Sequence, residues 1–512
     1  MGRIKIQSIT SKDLARRPLF VRPPEPPAEY MALDPSNSIY VGKTKIFHVP
    51  FGWSYQYLTN PHIAIVGITG AGKSYFVKTF LSRAAFVWGS NAIIIDWAGE
   101  YRAWVKQTGG KVVSLGKGDY INLLDLGGMK PLDRIKQIIR TLEILTDIGQ
   151  YPEQKRLTEQ ALEQTYTEAG FDLNEKNQTG PAGNPLLTPT LVDVVRILED
   201  RSRAGAYEFP AELDNAIYRL KQFIRPGEDY FAKQSSVKLD ELTQAGLVDI
   251  DMSGLPDEVM RGLAGLFVLQ FLKEKMRATG WMAEKGLKVL VVLDEAWKIA
   301  ADERSDAITI VREGRKYQFG LIVASQNPTD INEAIFSNVG TTFILRVKFE
   351  KFLDYLQGSL NFSPYMRNEI SKFGVGQCAV NMAFQTTTQF PETFLLEKVH
   401  GEEPLEEYYL DVQSILTNEQ LAEPTAIKTY VFEKNELKSK LTEFGMDDLK
   451  ATEFINMFDK RGKHMEILQF VNFLESNELA RANITSFLKG IGIEDAMIVD
   501  IFARIDSEKG LM

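Results

Sequence analysis

The sequence predicts an α/β fold with a mostly parallel β-sheet, and three short stretches carry this prediction. Residues 63–66, 92–96 and 288–294 are largely apolar runs of strand length; a glycine-rich loop with polar residues follows the first, and the other two end in aspartate. Helical patterns lie between them. Strands that alternate with helices are typical of βαβ units, in which neighbouring strands run parallel. The polar residues are therefore expected to meet at one edge of the sheet, where α/β proteins bind their ligands.

The loop after the first strand has the spacing of a phosphate-binding P-loop. Residues 67–74 read Gly-Ile-Thr-Gly-Ala-Gly-Lys-Ser, and a helical pattern follows. Glycines let backbone N–H groups turn toward phosphate oxygens, and the helix presents its positive end to the same anion. We predict that Lys73 contacts the β and γ phosphates of ATP and that Ser74 ligates Mg²⁺. The alternative is a glycine-rich turn without a ligand. The predicted nucleotide-binding residues are Gly67, Thr69, Gly70, Ala71, Gly72, Lys73, Ser74 and Tyr75.

Acidic residues end two other strand patterns. Asp294 and Glu295 match a Walker B element, in which the aspartate orients the Mg²⁺ shell and the glutamate polarises the attacking water. Asp96 ends the strand at 92–96, and Glu100 follows it closely. Two interpretations stay open there: Asp96 or Glu100 helps to order water or Mg²⁺, or Asp96 only caps the following turn.

A glutamine ends a further strand pattern at residues 320–325. The amide of Gln326 can hydrogen-bond both the γ-phosphate and the lytic water, so we predict that it senses the nucleotide state. Strand patterns also cover residues 246–251, 341–347 and 376–382.

Composition excludes some classes of protein. The 512 residues contain 44% hydrophobic and 25% charged residues, which is typical of a soluble globular protein of several domains. No apolar run reaches the roughly 18 residues of a membrane span, and the N-terminus lacks the apolar core of a signal peptide. One cysteine, Cys378, excludes internal disulfides and cysteine-based zinc clusters. We expect a cytoplasmic protein without an integral membrane segment, peripheral at the inner face of the cell membrane if it serves secretion.

Charge is unevenly distributed. The net charge is -9, but residues 401–512 hold 12 Lys+Arg against 22 Asp+Glu, so the first 400 residues are nearly neutral. A neutral body neither supports nor excludes DNA as a partner. Basic residues that either solvate helix faces or contact nucleic acid gather near the start of a helical region, at Lys130, Arg134, Lys136, Arg140, Lys155 and Arg156.

Five segments are predicted along the chain. The first is an extended Pro-rich arm, which is either a flexible leader or a contact to a neighbouring subunit. The last contains a weak repeat, 441–448 and 488–495, that predicts two helix–glycine turn–helix units. This acidic module either binds a partner or caps the assembly. The segments are the arm 1–36, the first part of the nucleotide-binding domain 37–130 with a hairpin at 38–49, a mostly helical insertion 131–240, the second part of the nucleotide-binding domain 241–411, and the helical tail 412–512.

Taken together, these motifs resemble the HerA/FtsK superfamily of ring-shaped DNA-pumping ATPases, and within it the conjugative type IV secretion ATPases of the TraC/VirB type. The resemblance rests on residues 67–74, 93–101, 291–297 and 312–331, supported by 161–170 and 249–258. It covers about residues 38–395 and leaves out the tail. It implies a RecA-like P-loop NTPase sheet of the ASCE type and a homo-hexamer with ATP and Mg²⁺ as cofactors.

The resemblance also implies roles for single residues. Lys73 and Ser74 bind phosphate and Mg²⁺, Asp294 and Glu295 form the Walker B pair, and Gln326 is the sensor. Arg315 matches the arginine finger that stabilises transition-state charge in the adjacent subunit of related pumps. Arg312 and Arg346 compete for this role, and the sequence does not decide among the three. A structural ion pair is the alternative for Arg315.

The chain departs from the two branches of this superfamily at its N-terminal side. Conjugative ATPases usually carry a large N-terminal docking domain, and HerA-type helicases begin with a small β-barrel. Here the P-loop already starts at residue 67, and the hairpin at 38–49 is at most a remnant of a barrel. The mode of docking on a secretion channel or another membrane-associated partner therefore stays open.

Three functions follow from the sequence. The first is an oligomeric Mg-ATPase motor that translocates DNA or powers substrate transfer and pilus assembly in conjugation. The second is a HerA-like helicase or translocase in DNA processing. The third is a nucleotide-dependent switch or scaffold, against which Glu295 and Gln326 argue, because a switch has less need of both a water activator and a sensor.

Overall fold

The computed structural model divides the chain into two compact units, Met1–Gly401 and Glu402–Met512. The predicted boundary after residue 411 differs from this one, because residues 407–411 form a strand that pairs inside the second unit. The predicted arm 1–36 lies almost entirely outside the described residues. The structure describes residues 25–26, 31, 34, 37–180, 183–184, 186–205, 208–225, 229–237, 242–244, 246–278, 287–295, 297–385, 392–399, 407–417, 429–460, 463–477 and 479–508.

The first unit is built on a sheet that has eleven strands in its described part. Its order is β2-β1-β11-β10-β9-β3-β8-β7-β4-β6-β5. The strands are β1 (Ile39–Thr44), β2 (Pro50–Trp53), β3 (Ile63–Val66), β4 (Asn91–Asp96), β5 (Lys111–Ser114), β6 (Leu247–Asp251), β7 (Val289–Asp294), β8 (Phe319–Ser325), β9 (Thr341–Ile344), β10 (Cys378–Met382) and β11 (Thr393–Val399).

Strand direction divides this sheet into two parts. The run from β9 through β3, β8, β7, β4 and β6 to β5 is parallel throughout. Strands β10, β11, β1 and β2 continue the sheet in antiparallel pairs. The predicted mostly parallel sheet is therefore confirmed. Strands β5 and β11 were not predicted from the sequence. A hairpin extends the sheet at its edge, but its second strand, β2, lies just beyond the predicted bounds of 38–49.

Helices cover both faces of the sheet, as parallel sheets require. The α-helices of this unit are α1 (Lys73–Trp88), α2 (Arg102–Gln107), α3 (Pro131–Leu145), α4 (Pro152–Glu168), α5 (Leu191–Ala204), α6 (Pro210–Lys221), α7 (Glu258–Ala278), α8 (Trp297–Ala301), α9 (Asp306–Glu313), α10 (Glu333–Phe336), α11 (Glu350–Leu360) and α12 (Pro364–Lys372). Among the described helices, none combines the length and apolar character that crossing a membrane requires.

The helical insertion shares its core with the sheet. Leu157 and Leu162 of α4 lie in the same buried cluster as Ile93 and Ile95 of β4. The opposite face of the sheet is covered by α1, whose Phe76 belongs to a second buried cluster. The predicted helices of the insertion are thus present, but they pack on the sheet as one of its two helical layers.

The second unit contains a small sheet with the described order β13-β12-β14, which the sequence analysis did not predict. Its strands are β12 (Glu407–Asp411), β13 (Thr429–Glu433) and β14 (His464–Glu466). Its helices are α13 (Lys434–Glu443), α14 (Asp448–Lys460), α15 (Ile467–Ser476), α16 (Arg481–Gly490) and α17 (Asp495–Glu508). Gly445 and Gly492, at φ +99° and +89°, turn the chain between the helices of each predicted pair. Both predicted helix–glycine–helix units are therefore observed.

Candidate nucleotide-binding site

The candidate site residues meet at one edge of the sheet because the strands that carry them end in register. Asp96 of β4 lies opposite Asp294 of β7, and Val66 of β3 lies opposite Ser325 of β8. Strand β8 stands between β3 and β7, so Gln326 follows a strand that separates the P-loop strand from the Walker B strand. The polar groups predicted from separate parts of the chain thus come together.

The P-loop forms an open cradle between β3 and α1. Gly70 and Gly72 have φ of +74° and +102°, a backbone region that glycine enters without strain. Helix α1 begins at Lys73, so the backbone N–H groups of Lys73, Ser74 and Tyr75 have no acceptor within the helix. The N–H groups of Gly67 and Ala71 instead donate to Ser325 O and Ile68 O. The predicted phosphate-binding donors are therefore concentrated at the glycines and the first helical turn.

Lys73 connects the P-loop to the Walker B strand. Its Nζ donates to Gly67 O at 2.9 Å and lies 3.1 Å from Oε1 of Glu295. The lysine is only 7% exposed. Glu295 adopts φ +52°, and its N–H donates to Ala324 O of β8 at 3.0 Å. The water-activating candidate is thus held next to the phosphate-binding amine.

Gln326 is tied directly to the P-loop. Thr69 Oγ1 donates to Gln326 Oε1 at 2.9 Å. This contact joins the loop after β8 to the loop after β3, as expected for a residue that reports the nucleotide state to the chain beyond β8.

The structure separates the roles of Asp96 and Glu100. Asp96 accepts hydrogen bonds from the backbone N–H groups of Ala98, Gly99 and Tyr101 at 2.8–3.1 Å. Burial raises its pKa to about 6 although these bonds favour the charged form. Asp96 therefore caps the turn, which was one of the two open interpretations. Glu100 Oε2 accepts a hydrogen bond from Ser74 Oγ, so Glu100 is the residue that reaches the predicted Mg²⁺ ligand.

Tyr101 also belongs to the site, although it was not predicted from the sequence. Its ring is fully buried, and its hydroxyl faces the carboxylate of Asp294. Tyr101 Oη and Asp294 Oδ1 are both buried without a well-formed hydrogen bond among the described residues. Burial, with the nearby charges of Glu100, Asp96 and Glu295, raises the pKa of Asp294 to about 7. The local sequence around Tyr101 does not indicate its contact with Asp294, because this contact depends on the pairing of β4 with β7.

Comparisons with known proteins agree with this geometry. Residues 39–271 match the family model "Helicase HerA, central domain". The DNA double-strand break repair helicase HerA of Pyrococcus furiosus is 27% identical over 373 residues, covering 63% of each chain. The chain therefore resembles the P-loop ATPases of the HerA type over this part of its sequence.

Two further proteins are similar to this chain. The DNA import protein CedB of Sulfolobus acidocaldarius is 21% identical over 351 residues, covering 65% of this chain and 52% of CedB. The structure of VirB4 of Thermoanaerobacter pseudethanolicus superposes with a TM-score of 0.59 at 21% identity, covering 72% of this chain and 97% of VirB4. The chain spans less than two thirds of the length of the first curated relatives it matches.

The residues present fit ATP and Mg²⁺, the cofactors that the P-loop sequence predicts. The cradle presents the N–H groups at the start of α1 and the amine of Lys73 to phosphate. Ser74 Oγ and Asp294 provide oxygen ligands of the kind that Mg²⁺ prefers, and Asp294 Oδ1 is an orphaned buried atom. Glu100 lies within reach of the same metal through Ser74.

Of the three candidate arginines, Arg312 and Arg315 lie at the amino edge of the sheet and Arg346 lies at the carboxyl edge. Arg312 lies in the last turn of α9 and Arg315 follows this helix, before β8 begins, and both are exposed. Since β8 has seven residues, about 20 Å separate them from the site at its other end. Arg346 follows β9, and its carbonyl accepts from Ile68 N at 2.9 Å, beside the P-loop of its own chain.

Most of the predicted basic cluster makes contacts within the chain. Arg134 is completely buried over the ring of Phe267, with its centre 4.2 Å from the ring centroid. Arg140 donates to Arg304 O. Lys155 and Arg156 form ion pairs with Glu143 and Glu153. Lys130 and Lys136 are the remaining members. These contacts favour the structural interpretation of the cluster over nucleic-acid binding.

A second residue that was not predicted from the sequence is Asp249, a buried carboxylate in the middle of β6. Burial, with the charges of Asp96 and Asp251, raises its pKa to about 9, and both oxygens lack partners among the described residues. The folded state therefore keeps a proton that the unfolded chain releases above about pH 4. The free energy of unfolding therefore decreases as the pH rises from about 4 toward 9.

We expect Asp249→Asn to remove this pH-dependent decrease in stability, because the amide does not ionise. The free energy of unfolding of the variant, relative to the natural chain, should rise by about 1–3 kcal/mol between pH 5 and pH 8.5. Urea unfolding at both pH values measures it, with the exposed Glu303→Gln as control. A difference between variant and natural chain that stays constant with pH would contradict the buried proton.

Proposed function

We propose that the chain is one subunit of a homo-hexameric motor that hydrolyses ATP with Mg²⁺ and moves DNA. One observation carries the proposal: the candidate catalytic residues of one chain are divided between two opposite edges of its sheet. Lys73, Glu295 and Gln326 lie at the carboxyl edge, whereas Arg312 and Arg315 are exposed at the amino edge. An arginine there can reach only the nucleotide of a neighbouring subunit, so the complete site forms between subunits.

The residues at the carboxyl edge divide the chemical work. Mg²⁺, when bound, neutralises phosphate charge. Ser74 and Asp294 would hold the metal, with Glu100 positioning Ser74 and Tyr101 positioning Asp294. Glu295 accepts the proton of the attacking water. Lys73 has three N–H donors, and moving one from Glu295 to a phosphate oxygen frees that carboxylate for its role as base.

DNA is proposed as the substrate from the relatives and from one exposed segment. HerA and CedB are named for acting on DNA. Residues 346–351 follow β9 and carry exposed Lys348, Phe349 and Lys351, with Phe349 69% exposed. Basic groups beside an exposed aromatic ring suit phosphates and stacked bases. This segment supports DNA binding better than the basic cluster of the insertion does.

The setting has two candidates. Conjugative transfer is the first, in which the motor works at the inner face of the membrane with secretion-channel proteins, and the VirB4-like fold is consistent with it. A HerA-like helicase or translocase is the second, and it is favoured by the family model and by HerA itself. Association with membrane-channel proteins distinguishes the first from the second, which is expected to act with a nuclease.

Particle symmetry tests the proposal. Electron microscopy of the full chain with a non-hydrolysable ATP analogue and duplex DNA should show six-fold rings with DNA in the pore, and DNA should stimulate ATP turnover. Particles of a Lys73→Ala variant serve as the control for nucleotide dependence. A monomer that neither nucleotide nor DNA changes would favour a switch and overturn the motor.

A further inference from the structure

A cavity lies beside the P-loop on the side away from the catalytic residues. Its volume is about 580 Å³, and it is lined by Lys43, Gly374, Val375, Gln377, Glu397 and Lys398. These residues come from β1, from the loop before β10 and from the end of β11. Because β10 and β9 are antiparallel, and β11 is antiparallel to β10, these parts of the strands lie at the same edge of the sheet as the P-loop.

The wall of this cavity is attached to the P-loop. Gly376 N donates to Ala71 O at 3.2 Å. A Cβ placed on Gly72 would lie 3.8 Å from Cγ1 of Val375, whose side chain is exposed. Gly376 itself has φ +79°, and its carbonyl accepts from Val399 N of β11 at 2.7 Å. The loop 374–377 thus connects the phosphate cradle to β11.

The sheet order fixes the direction in which a nucleotide must extend. Glu295 and Gln326 follow β7 and β8, on one side of the P-loop strand β3. A γ-phosphate that these residues act on lies toward that side. The nucleoside is at the other end of the triphosphate, so it must leave the cradle toward β9, β10 and β11. The cavity occupies that side.

Two lysines of the cavity indicate a ligand there independently of the sheet order. Lys43 of β1 and Lys398 of β11 lie directly opposite each other in the antiparallel ladder. Like charges in this arrangement destabilise a sheet. Within the described part of the chain neither lysine forms an ion pair, and the nearby Glu397 pairs with His48 at 3.2 Å. A ligand with hydrogen-bond acceptors between the two amines would relieve this repulsion.

We propose that this cavity binds the nucleoside half of ATP, with Lys43 and Lys398 donating to ribose oxygens and base nitrogens and Val375 contacting the face of the base. This inference rests on the proposed function and extends it by naming the residues that recognise the nucleoside. Gln377 and Glu397 supply polar groups for the rim of the base. Lysine donors and an apolar wall suit a nucleoside, because such sites combine apolar surface with a few placed polar groups.

Isothermal titration calorimetry of the full chain tests the inference with two ligands, adenylyl imidodiphosphate and inorganic tripolyphosphate, both with Mg²⁺. In the Lys43→Ala/Lys398→Ala double variant the Kd of the nucleotide analogue should rise about tenfold, while tripolyphosphate affinity stays unchanged. Without ligand, the melting temperature of the double variant should not fall, because a repulsion has been removed. Lys136→Ala, an exposed lysine of α3, is the matched control and should change neither affinity.

The outcomes separate this inference from the function on which it rests. Lys73→Ala should weaken both ligands, and normal binding of both by that variant would overturn the proposed function itself. If Lys73→Ala weakens both but the double variant binds the nucleotide analogue normally, only the nucleoside site is wrong. Equal weakening of both ligands in the double variant also overturns it, because the lysines would then serve phosphate. Loss of DNA affinity with unchanged nucleotide affinity would assign the lysines to DNA.

Discussion

Replacing Glu295 by Gln is expected to lower steady-state ATP hydrolysis by about 100-fold or more, in line with the usual contribution of a general base. Nucleotide binding should persist, because the phosphate cradle and Lys73 are unchanged. The glutamine keeps the shape of the side chain and the backbone bond from residue 295 to Ala324 O. It also removes the negative partner of Lys73, so affinity for ATP should stay equal or increase.

Phosphate release at saturating ATP measures the rate, and calorimetry with a non-hydrolysable analogue measures the affinity. Glu303→Gln is the control, since that residue is exposed on the segment after α8. Normal turnover by Glu295→Gln would show that another carboxylate activates the water, and Glu100 would be the next candidate because it already contacts Ser74. It would also remove Glu295 as an argument against a nucleotide-dependent switch and leave only Gln326.

The parts of the site that could be read from the sequence are those encoded within a few residues. The P-loop needs only its glycines, Lys73 and Ser74, and the Walker B pair needs only a buried strand that ends in Asp294 and Glu295. Each pattern specifies its own local structure. Their meeting at one edge then followed from the general geometry of parallel sheets.

The contacts that were missed depend on which strands are neighbours. Tyr101 faces Asp294 only because β4 pairs with β7, and Asp249 is buried only because β6 pairs with β4 and β5. Lys43 faces Lys398 because β1 returns to the sheet beside β11. Strand order is set by packing over the whole chain, so no local pattern contains it. The alternating carboxylates of the strand at 247–251 were the one available signal, since acidic residues are unusual in a buried strand.

In the second unit, too, local patterns predicted the helices but not the pairing of strands. Its helix–glycine–helix pairs were predicted from a local repeat, because a glycine between two helical patterns is itself a turn signal. The small sheet was missed because β12 and β14 pair in parallel across two intervening helices. Residues 407–411 were consequently assigned to the nucleotide-binding domain.

Replacing Arg315 by Ala is expected to lower ATP hydrolysis by about 100-fold or more, as the loss of a charge-stabilising donor does in other enzymes. The reason is its position: Arg315 is exposed at the amino edge of the sheet, far from the P-loop of its own chain. It also donates to Thr59 O, so the melting temperature of the variant must be compared with that of Lys316→Ala, which alters the neighbouring exposed residue. A loss of activity without a loss of stability excludes the structural role.

Mixing the Arg315→Ala variant with Lys73→Ala then decides whether the arginine acts between subunits. Each variant alone should be nearly inactive. In a random equimolar ring with head-to-tail interfaces, about a quarter of the interfaces join an intact P-loop to an intact Arg315, so the mixture should recover activity. If the arginine served the nucleotide of its own chain, no subunit in the mixture would have both groups and activity would not return. The same mixture made with Arg312→Ala tests the neighbouring arginine. Arg346→Ala should give no recovery, because its backbone is bonded to the P-loop of its own chain.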